Sequence, residues 1–260
     1  MPALHLGEGA GKMNQTTTLK QKIDYGLDSP RELRHNVLYG AGGLVMGALL
    51  LYVGQGAPVG LLLGGICLLS GLTLCIMDVV LLWGSRVGKL RLRDEALGRI
   101  PWRGDERVLD IGCGHGLLLI GAAKYLTTGK AIGIDPWVQI DQADNSAAAT
   151  LRNVELEGVS ERAEVRNGDA RDLPFDDASI DIVLSSWTLH FILDPDERAQ
   201  ALKEIERVLK PGGRAVLIDV DRVKEYEKFF RGKGWLDITR TGPNYLFVAP
   251  THILSAVKPK

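Results

Sequence analysis

A gap in its charge restricts this chain more than any other feature. From Asn36 to Ser85 the only charged side chain in fifty residues is Asp78, while the other 210 residues carry 62. A stretch so apolar is stable when shielded from water, by protein or by lipid. Val37 to Val53 is a 17-residue run and Val59 to Trp83 a 25-residue run, against the ~20 residues a helix needs to cross hydrocarbon roughly 30 Å thick. The uncharged turn Gly54-Gln55-Gly56-Ala57-Pro58 joins them, which predicts an antiparallel transmembrane helical hairpin. Gly40, Gly43 and Gly47 recur at three and four residues, giving one face on which a partner helix can approach closely. The alternative, two buried helices of a soluble layer, requires protein to cover the long second run on every side.

Flanking charge predicts orientation. Lys20, Lys22, Arg31 and Arg34 precede the first run, Arg86, Lys89, Arg91 and Arg93 follow the second, and the connecting turn carries none. Both ends are therefore expected on the cytoplasmic side of an integral membrane protein with two spans. Residues 1–34 are polar and no small-residue cleavage pattern follows the first run, so the hairpin is expected to stay in the mature protein. Asp78, near the end of its span, is placed at the interface. The expected organisation is a polar N-terminal segment (1–35), the hairpin (36–85), a basic amphipathic linker (86–102) and an α/β domain (103–260). The linker lies along an anionic membrane face, packs on the domain that follows, or does both. The hairpin also offers a route to homo-oligomers. With 31 Lys+Arg against 32 Asp+Glu, nothing suggests nucleic acid as a partner.

After Trp102 short apolar runs alternate with amphipathic helices, the pattern of a sheet covered by helices on both faces. Strands are predicted at Arg107–Ile111, Ala131–Ile134, Ala163–Arg166, Ile180–Ser185 and Ala215–Asp219, and helices at Leu117–Leu126, Ala143–Gly158 and Asp196–Leu209. Lys210-Pro211-Gly212-Gly213 reads as a helix stop and tight turn. A short helix near Val223–Gly232 and two strand-like pieces, Leu236–Arg240 and Ile253–Val257, would close the sheet as a hairpin.

The strongest chemical signal is Val108-Leu109-Asp110-Ile111-Gly112-Cys113-Gly114-His115-Gly116-Leu117. A strand runs into glycines at alternate positions, which let backbone approach a ligand where a Cβ would collide, and a helix begins at once. Leu117 stands where a dinucleotide-type G-x-G-x-x-G needs its last glycine, and no Gly-Lys-Ser/Thr follows as in a P-loop. The second strand ends at Asp135, about 20 residues on, where a carboxylate can accept from two ribose hydroxyls. Pro136-Trp137 can wall the sugar or base. Asn167-Gly168-Asp169-Ala170 after the third strand places Asp169 where an exocyclic amine can donate to it. Asp110, Asp135 and Asp169, at three successive strand ends, point to one nucleoside pocket.

Val108–Gly116, Ala131–Asp135, Gly168–Phe175, Ser179–His190 and Arg207–Gly213 together resemble the class I S-adenosylmethionine-dependent methyltransferases, near the group containing the ubiquinone/menaquinone C-methyltransferases. The resemblance covers about 155 residues and implies a Rossmann-like seven-stranded sheet with S-adenosyl-L-methionine as cofactor. It also implies that Asp110, Gly112, Cys113, Gly114 and Gly116 hold the methionine and sugar end, Asp135 with Pro136 the ribose, and Asp169-Ala170 the adenine. Ser185-Ser186 and Leu189-His190 would line the space between methyl group and substrate, and Asp24-Tyr25-Gly26 corresponds to an N-terminal lid. The span pair lies outside the common family pattern.

Methyl transfer from a sulfonium is an in-line displacement needing mainly orientation and exclusion of water. If the nucleophile carries a proton of high pKa, a base is required, and His190 just past the fourth strand is the candidate. Asp219 either steers an amine or caps the next helix, His115 points at solvent or at a cofactor carboxylate, and Cys113 packs. The five histidines and three cysteines show no metal-ligand spacing, so no metal is expected. Ser185-Ser186-Trp187-Thr188 occupies the place of the Asn/Asp-Pro-Pro-Tyr strand end of many base and amide N-methylating enzymes. A catalytic domain so close to the spans favours a small lipophilic acceptor: quinone-like, lipid or thiol. A membrane assembly module that binds cofactor without useful turnover is the alternative; product formation separates the two.

Overall fold

Alternate residues of the first strand of the sheet face two separate apolar cores, and the fold is built around that division. The computed structural model describes residues 23–54, 57–138, 144–247 and 249–260; the expectations for residues 1–22, for Gln55-Gly56 of the turn and for Ala143 lie outside them. Seven strands run in the order β3-β2-β1-β4-β5-β7-β6: β1 Arg107–Ile111, β2 Lys130–Asp135, β3 Ala163–Asn167, β4 Ile180–Ser186, β5 Leu209–Asp219, β6 Leu236–Asn244 and β7 Thr251–Val257. β1 to β5 are parallel and β7 pairs antiparallel with β5 and β6.

This is the Rossmann-like, helix-covered seven-stranded arrangement that the sequence predicts. Leu109 and Ile111 pack with the helices α6 (Pro195–Val208) and α7 (Val223–Gly232) on one face. Val108 packs on the other face with α3 (Lys89–Gly98), α4 (Leu117–Ala123) and α5 (Ala147–Leu156). Strand order reverses beside β1, whose neighbours are β2 and β4, and the crevice at the carboxyl ends of these strands is where open sheets take ligands. Several boundaries differ from the sequence reading: α4 ends at Ala123, α5 spans Ala147–Leu156 and β7 begins at Thr251. The segment Lys210–Gly213 is part of β5, Gly212 taking φ +78° within it, and β6 continues to Asn244.

The apolar block forms α1 (Pro30–Val53) and α2 (Pro58–Trp83), helices of 24 and 26 residues. At 1.5 Å per residue each spans ~36–39 Å. Pro stands in the first turn of both, where its missing N–H costs nothing. Both are long and apolar enough to cross a membrane, and in each the most apolar 18-residue window is 11% buried. The protein therefore does not provide the cover that two soluble core helices would need.

The helices meet along glycines. A Cβ on Gly71 would come within 2.8 Å of Gly40 O and Leu44 N, and one on Gly47 within 2.8 Å of Leu68 N. Gly40 and Gly47 are the buried residues of α1; Gly64, Gly71, Asp78 and Leu81 those of α2. Asp78 is 7% exposed and its Oδ1 lacks a hydrogen-bond partner, so this acid near the end of α2 is covered by protein.

α2 passes through a π-turn, Gly84–Gly88, directly into α3, giving one helical run from Pro58 to Gly98. Leu92, Ala96, Leu97 and Ile100 are buried in the α4 core. The linker thus packs on the domain that follows and is helical as far as Gly98.

Replacing Gly71 by Val is expected to force α1 and α2 apart and lower the melting temperature in detergent, at a cost of about 1–3 kcal/mol typical of overpacking. Gly65→Val, at a position with nothing within 4 Å of the added Cβ, should leave it close to wild type.

Candidate active site

The loop after β1 turns on three glycines in the left-handed region: Gly112 at φ +70°, Gly114 at +48° and Gly116 at +86°. Side chains rarely adopt that backbone. Space adds a second reason at two of them. A Cβ on Gly112 would overlap the Thr188 side chain, and one on Gly116 would sit 3.0–3.1 Å from Ile120 Cδ1 and Thr150 Cγ2. These contacts are with the protein's own side chains, so the spacing read in sequence as room for a ligand is also a packing requirement.

The neighbouring strand holds the loop. The N–H groups of Gly112 and Cys113 both donate to Ile134 O, at 2.8 and 3.0 Å. Gly114 N–H donates to Asp135 Oδ2 at 2.9 Å, while Asp135 Oδ1 accepts from Trp137 N–H (2.7 Å) and Asn145 Nδ2 (3.2 Å). Asp135 is thus the brace of the loop as well as a wall of the crevice. A carboxylate has about four lone-pair positions, so three donors leave it able to accept again.

Below the loop, Asp110 is 1% exposed, with Oδ2 accepting from Leu119 N–H at 2.8 Å and Oδ1 without a partner. Burial pushes its pKa up to about 7, and the nearby Asp135 charge adds to the rise while the Leu119 bond opposes it. Cys113 packs its sulfur toward Gly133, where a Cβ would meet Sγ at 2.8 Å; burial raises its thiol pKa well above the ordinary value. His115 is 5% exposed, with Nδ1 3.2 Å from Asp24 O, and it borders the cavity beside the loop, so it is turned away from bulk solvent.

The loop borders a cavity of about 580 Å³, within the ~300–1,000 Å³ range of small-molecule sites. Of the residues singled out in the sequence, Tyr25, Gly112, Cys113, Gly114, His115, Asp135, Pro136, Asp169, Ala170, Ser186 and Trp187 line it. Asp110, Gly116, Ser185 and His190 are set back from its wall. Asp110 pins the start of α4, Gly116 begins that helix, and Ser185 Oγ donates to Ile111 O at 2.9 Å, tying β4 to β1.

His190 Nδ1 stands 2.5 Å from Asp219 Oδ1, and its ring lies against Phe191 with centroids 4.1 Å apart. Asp219 also receives Tyr226 OH at 3.2 Å, so it orients this cluster and does not cap α7. Asp169 is held by Arg171, whose Nε donates to Oδ1 at 2.9 Å; that pairing keeps the carboxyl below its ordinary pKa, and Arg171 bonds on to Glu197 at 2.5 Å.

Trp187, Phe191, Ile192, Leu193 and Phe247 supply apolar wall to the same cavity. Trp187 takes φ +48° and its ring pairs with Phe247 at 4.6 Å. Arg198, 2% exposed, bonds Ile192 O at 2.5 Å and Glu225 Oε2 at 2.8 Å, fixing the loop that carries part of this wall.

Three groups were not legible in the sequence. Asn145 faces the cavity with a buried Oδ1 lacking a partner. Thr188 fills the space over Gly112. Asp28 and Lys89 line the cavity edge beside Tyr25, which the sequence assigns to the lid. The signal at Lys89 was hidden among Arg86, Arg91 and Arg93, which look like equivalent flanking charges. No group of three or more His, Cys, Asp or Glu suited to a metal occurs among the described residues.

Residues 109–217 match the family described as a methyltransferase domain. The 2-phytyl-1,4-beta-naphthoquinone methyltransferase of Arabidopsis thaliana is 33% identical over 141 residues, 53% of this chain and 51% of that protein. The demethylmenaquinone methyltransferase of Lactiplantibacillus plantarum is 34% identical over 134 residues, 50% of this chain and 52% of that one. The chain spans about half the length of these relatives. Among solved structures, the phosphoethanolamine N-methyltransferase 2 of Haemonchus contortus in complex with S-adenosyl-L-methionine superposes with a TM-score of 0.53 at 20% identity, covering 65% of this chain and 53% of that one. This likeness shows the fold.

The raised pKa of Asp110 sets a pH dependence. A carboxyl whose folded pKa is about 7 against an ordinary 3.8 favours folding fully below pH 3.8, and that contribution is lost as pH rises through about 7. Asp110→Asn removes the titration. Melting curves should show wild type losing stability relative to the variant between pH 4 and 8; parallel profiles would refute the assignment.

Proposed function

We propose that this chain is a membrane-anchored S-adenosylmethionine-dependent methyltransferase that acts on a small lipophilic acceptor by in-line methyl transfer. The observation that carries the reading is the cavity at the carboxyl ends of β1, β2 and β4, whose wall joins a left-handed glycine loop and the carboxylates Asp135 and Asp169 to the apolar side chains Trp187, Phe191, Leu193 and Phe247. The match over residues 109–217 and the two quinone-directed relatives support it.

The residues present fit the cofactor. Two buried oxygens without partners, Asp110 Oδ1 and Asn145 Oδ1, lie beside or under the glycine loop, and a buried polar atom left unpaired is costly unless something donates to it. The backbone of Gly112–Gly114 would hold the methionine and sugar end. Asp135, with Pro136 beside it, would take the ribose, and Asp169-Ala170 the adenine. When bound, S-adenosyl-L-methionine supplies an activated methyl group on a sulfonium.

The chain's own work is then positioning. Trp187, Phe191 and Phe247 orient an apolar acceptor and exclude water, which in-line transfer needs more than it needs acid or base. For an acceptor whose nucleophile carries a proton, His190 is the candidate base, its Nδ1 2.5 Å from Asp219 Oδ1 and its ring beside Phe191 of the cavity wall.

α1 and α2 would place the cavity beside the bilayer, with both flanks on the cytoplasmic side. Asp28 lies two residues before α1 and Lys89 six residues after α2 ends, and both line the cavity. An acceptor dissolved in lipid therefore has a short path to it. This supports a quinone-like, lipid or lipophilic thiol substrate, with membrane lipids as neighbours and the hairpin available for self-association.

Detergent-purified protein incubated with methyl-labelled S-adenosylmethionine and a membrane lipid extract should yield a labelled apolar product. Asp135→Ala should weaken donor binding by about a hundredfold or more, read by calorimetry. Wild-type protein that binds no donor at millimolar concentration would end the reading. For a protic acceptor, His190→Gln should lower kcat about 10²–10⁴-fold with donor affinity kept.

A further inference from the structure

Lys89 sits where three parts of the chain meet. It is the first residue of α3, directly after the π-turn, on the helical run that continues α2 without a break. Its ammonium is almost fully buried, with the side chain 3% exposed. It donates to Tyr25 O at 2.8 Å, Gly26 O at 2.5 Å and Asp28 Oδ2 at 2.9 Å. An ammonium has three protons and no acceptor, so these bonds use its full capacity. Although Lys89 borders the cavity, it has no donor left for a ligand there. All three acceptors belong to one strap, residues 23–29, which runs into α1 at Pro30.

The same strap is fastened at two further places. Near its end, Asp28 N–H donates to Ser85 Oγ in the π-turn at 3.2 Å. At its start, Asp24 N–H donates to Asn153 Oδ1 at 3.2 Å, and Asn153 Nδ2 donates both to Asp24 O at 2.7 Å and to His115 O in the glycine loop at 3.0 Å. Tyr25 OH donates to Glu157 at 2.7 Å. The strap thus connects the base of the helical hairpin to the glycine loop of the cavity, and Tyr25 and Asp28 form part of the cavity wall. π-turns interrupt regular helix at a cost and recur at functional positions. Here the π-turn presents Ser85 to the strap, and its buried Gly88 leaves room for Leu246, whose carbonyl stands where a Cβ would be.

We propose that Lys89 is a positioning residue for the donor end of the cavity: it locks the strap to the helix leaving the hairpin, so that the set of that helix controls closure over the glycine loop. The inference rests on the donor cavity assigned above. It adds a role for the apolar hairpin beyond attachment. A flanking charge serving only membrane orientation would be solvated; this one is spent entirely on the strap.

The test uses the full chain in detergent and in lipid nanodiscs, with wild type, Lys89→Met, Asn153→Ala and the double variant. S-adenosylmethionine affinity is measured by calorimetry, and hydrogen exchange of amides 24–28 reads the strap directly. Each single variant should weaken donor binding about tenfold and expose the strap amides, while the double variant should be little worse than either, because both act through one element. A lower melting temperature with unchanged donor affinity and unchanged strap exchange would mark Lys89 as merely structural and overturn the proposal. Affinity losses that multiply in the double variant would overturn it too. Should Lys89→Met not fold, Ser85→Ala, which removes a single strap bond, should give a smaller loss of about threefold; no loss would count against the proposal. Wild type that binds no donor overturns the reading of the cavity and this inference together. Normal wild-type binding with unaffected variants overturns the inference alone.

Discussion

A loop with three left-handed glycines has many shapes open to it, and the Asp135 carboxylate selects one. By accepting Gly114 N–H with one oxygen and Trp137 N–H and Asn145 with the other, it ties the ends of β1 and β2 and the segment beyond β2 to a single centre. The parallel register that sets Ile111 beside Ile134 brings the loop amides to Ile134 O, so the sheet and the carboxylate define the cradle together. Because only 6% of Asp135 is exposed, these bonds form away from competing water, where they are stronger and costlier to break.

Charge around that centre is arranged with opposite effects. Asp110, under the loop, is driven toward its neutral form by burial. Asp169, at the rim, is held ionised by Arg171. The buried Lys89–Asp28 pair lies on the third side. Removing one partner alone would leave the other charge buried and uncompensated, at a cost of about 3–5 kcal/mol. A polar frame fixed at several points, joined to apolar wall carried by the Arg198-anchored loop, suits a ligand that is polar at one end and meets a lipophilic partner at the other.

Much of the fold was legible because it rests on periodicity. The strands at Arg107–Ile111 and Ile180–Ser185, the glycine-rich turn and the helix at Asp196–Leu209 all carry their hydrophobic pattern within a few residues of one another. The site was legible where motif residues carry it: Gly112, Gly114, Asp135 and Asp169 all reach the cavity. It was less so where a residue's task depends on what lies behind it. Ser185 and Asp110 look like site residues in sequence, yet one braces β4 against β1 and the other pins α4. Asn145, Thr188 and Lys89 give no local sign, since their neighbours at the cavity lie 10 to 76 residues away along the chain.

By itself, the sequence determined the two apolar helices, the order of strands and helices, and the identity of the loop that begins the cavity. Each is a property of residues close in the chain, where hydrophobic period and glycine content act directly on the backbone. Only the tertiary structure decided that α3 belongs to the core, that Asp78 is buried, and that a lysine among four basic residues fastens the strap. Those outcomes depend on which distant atoms arrive within hydrogen-bonding distance, and burial turns an ordinary charge into a specific contact only after the chain has closed around it.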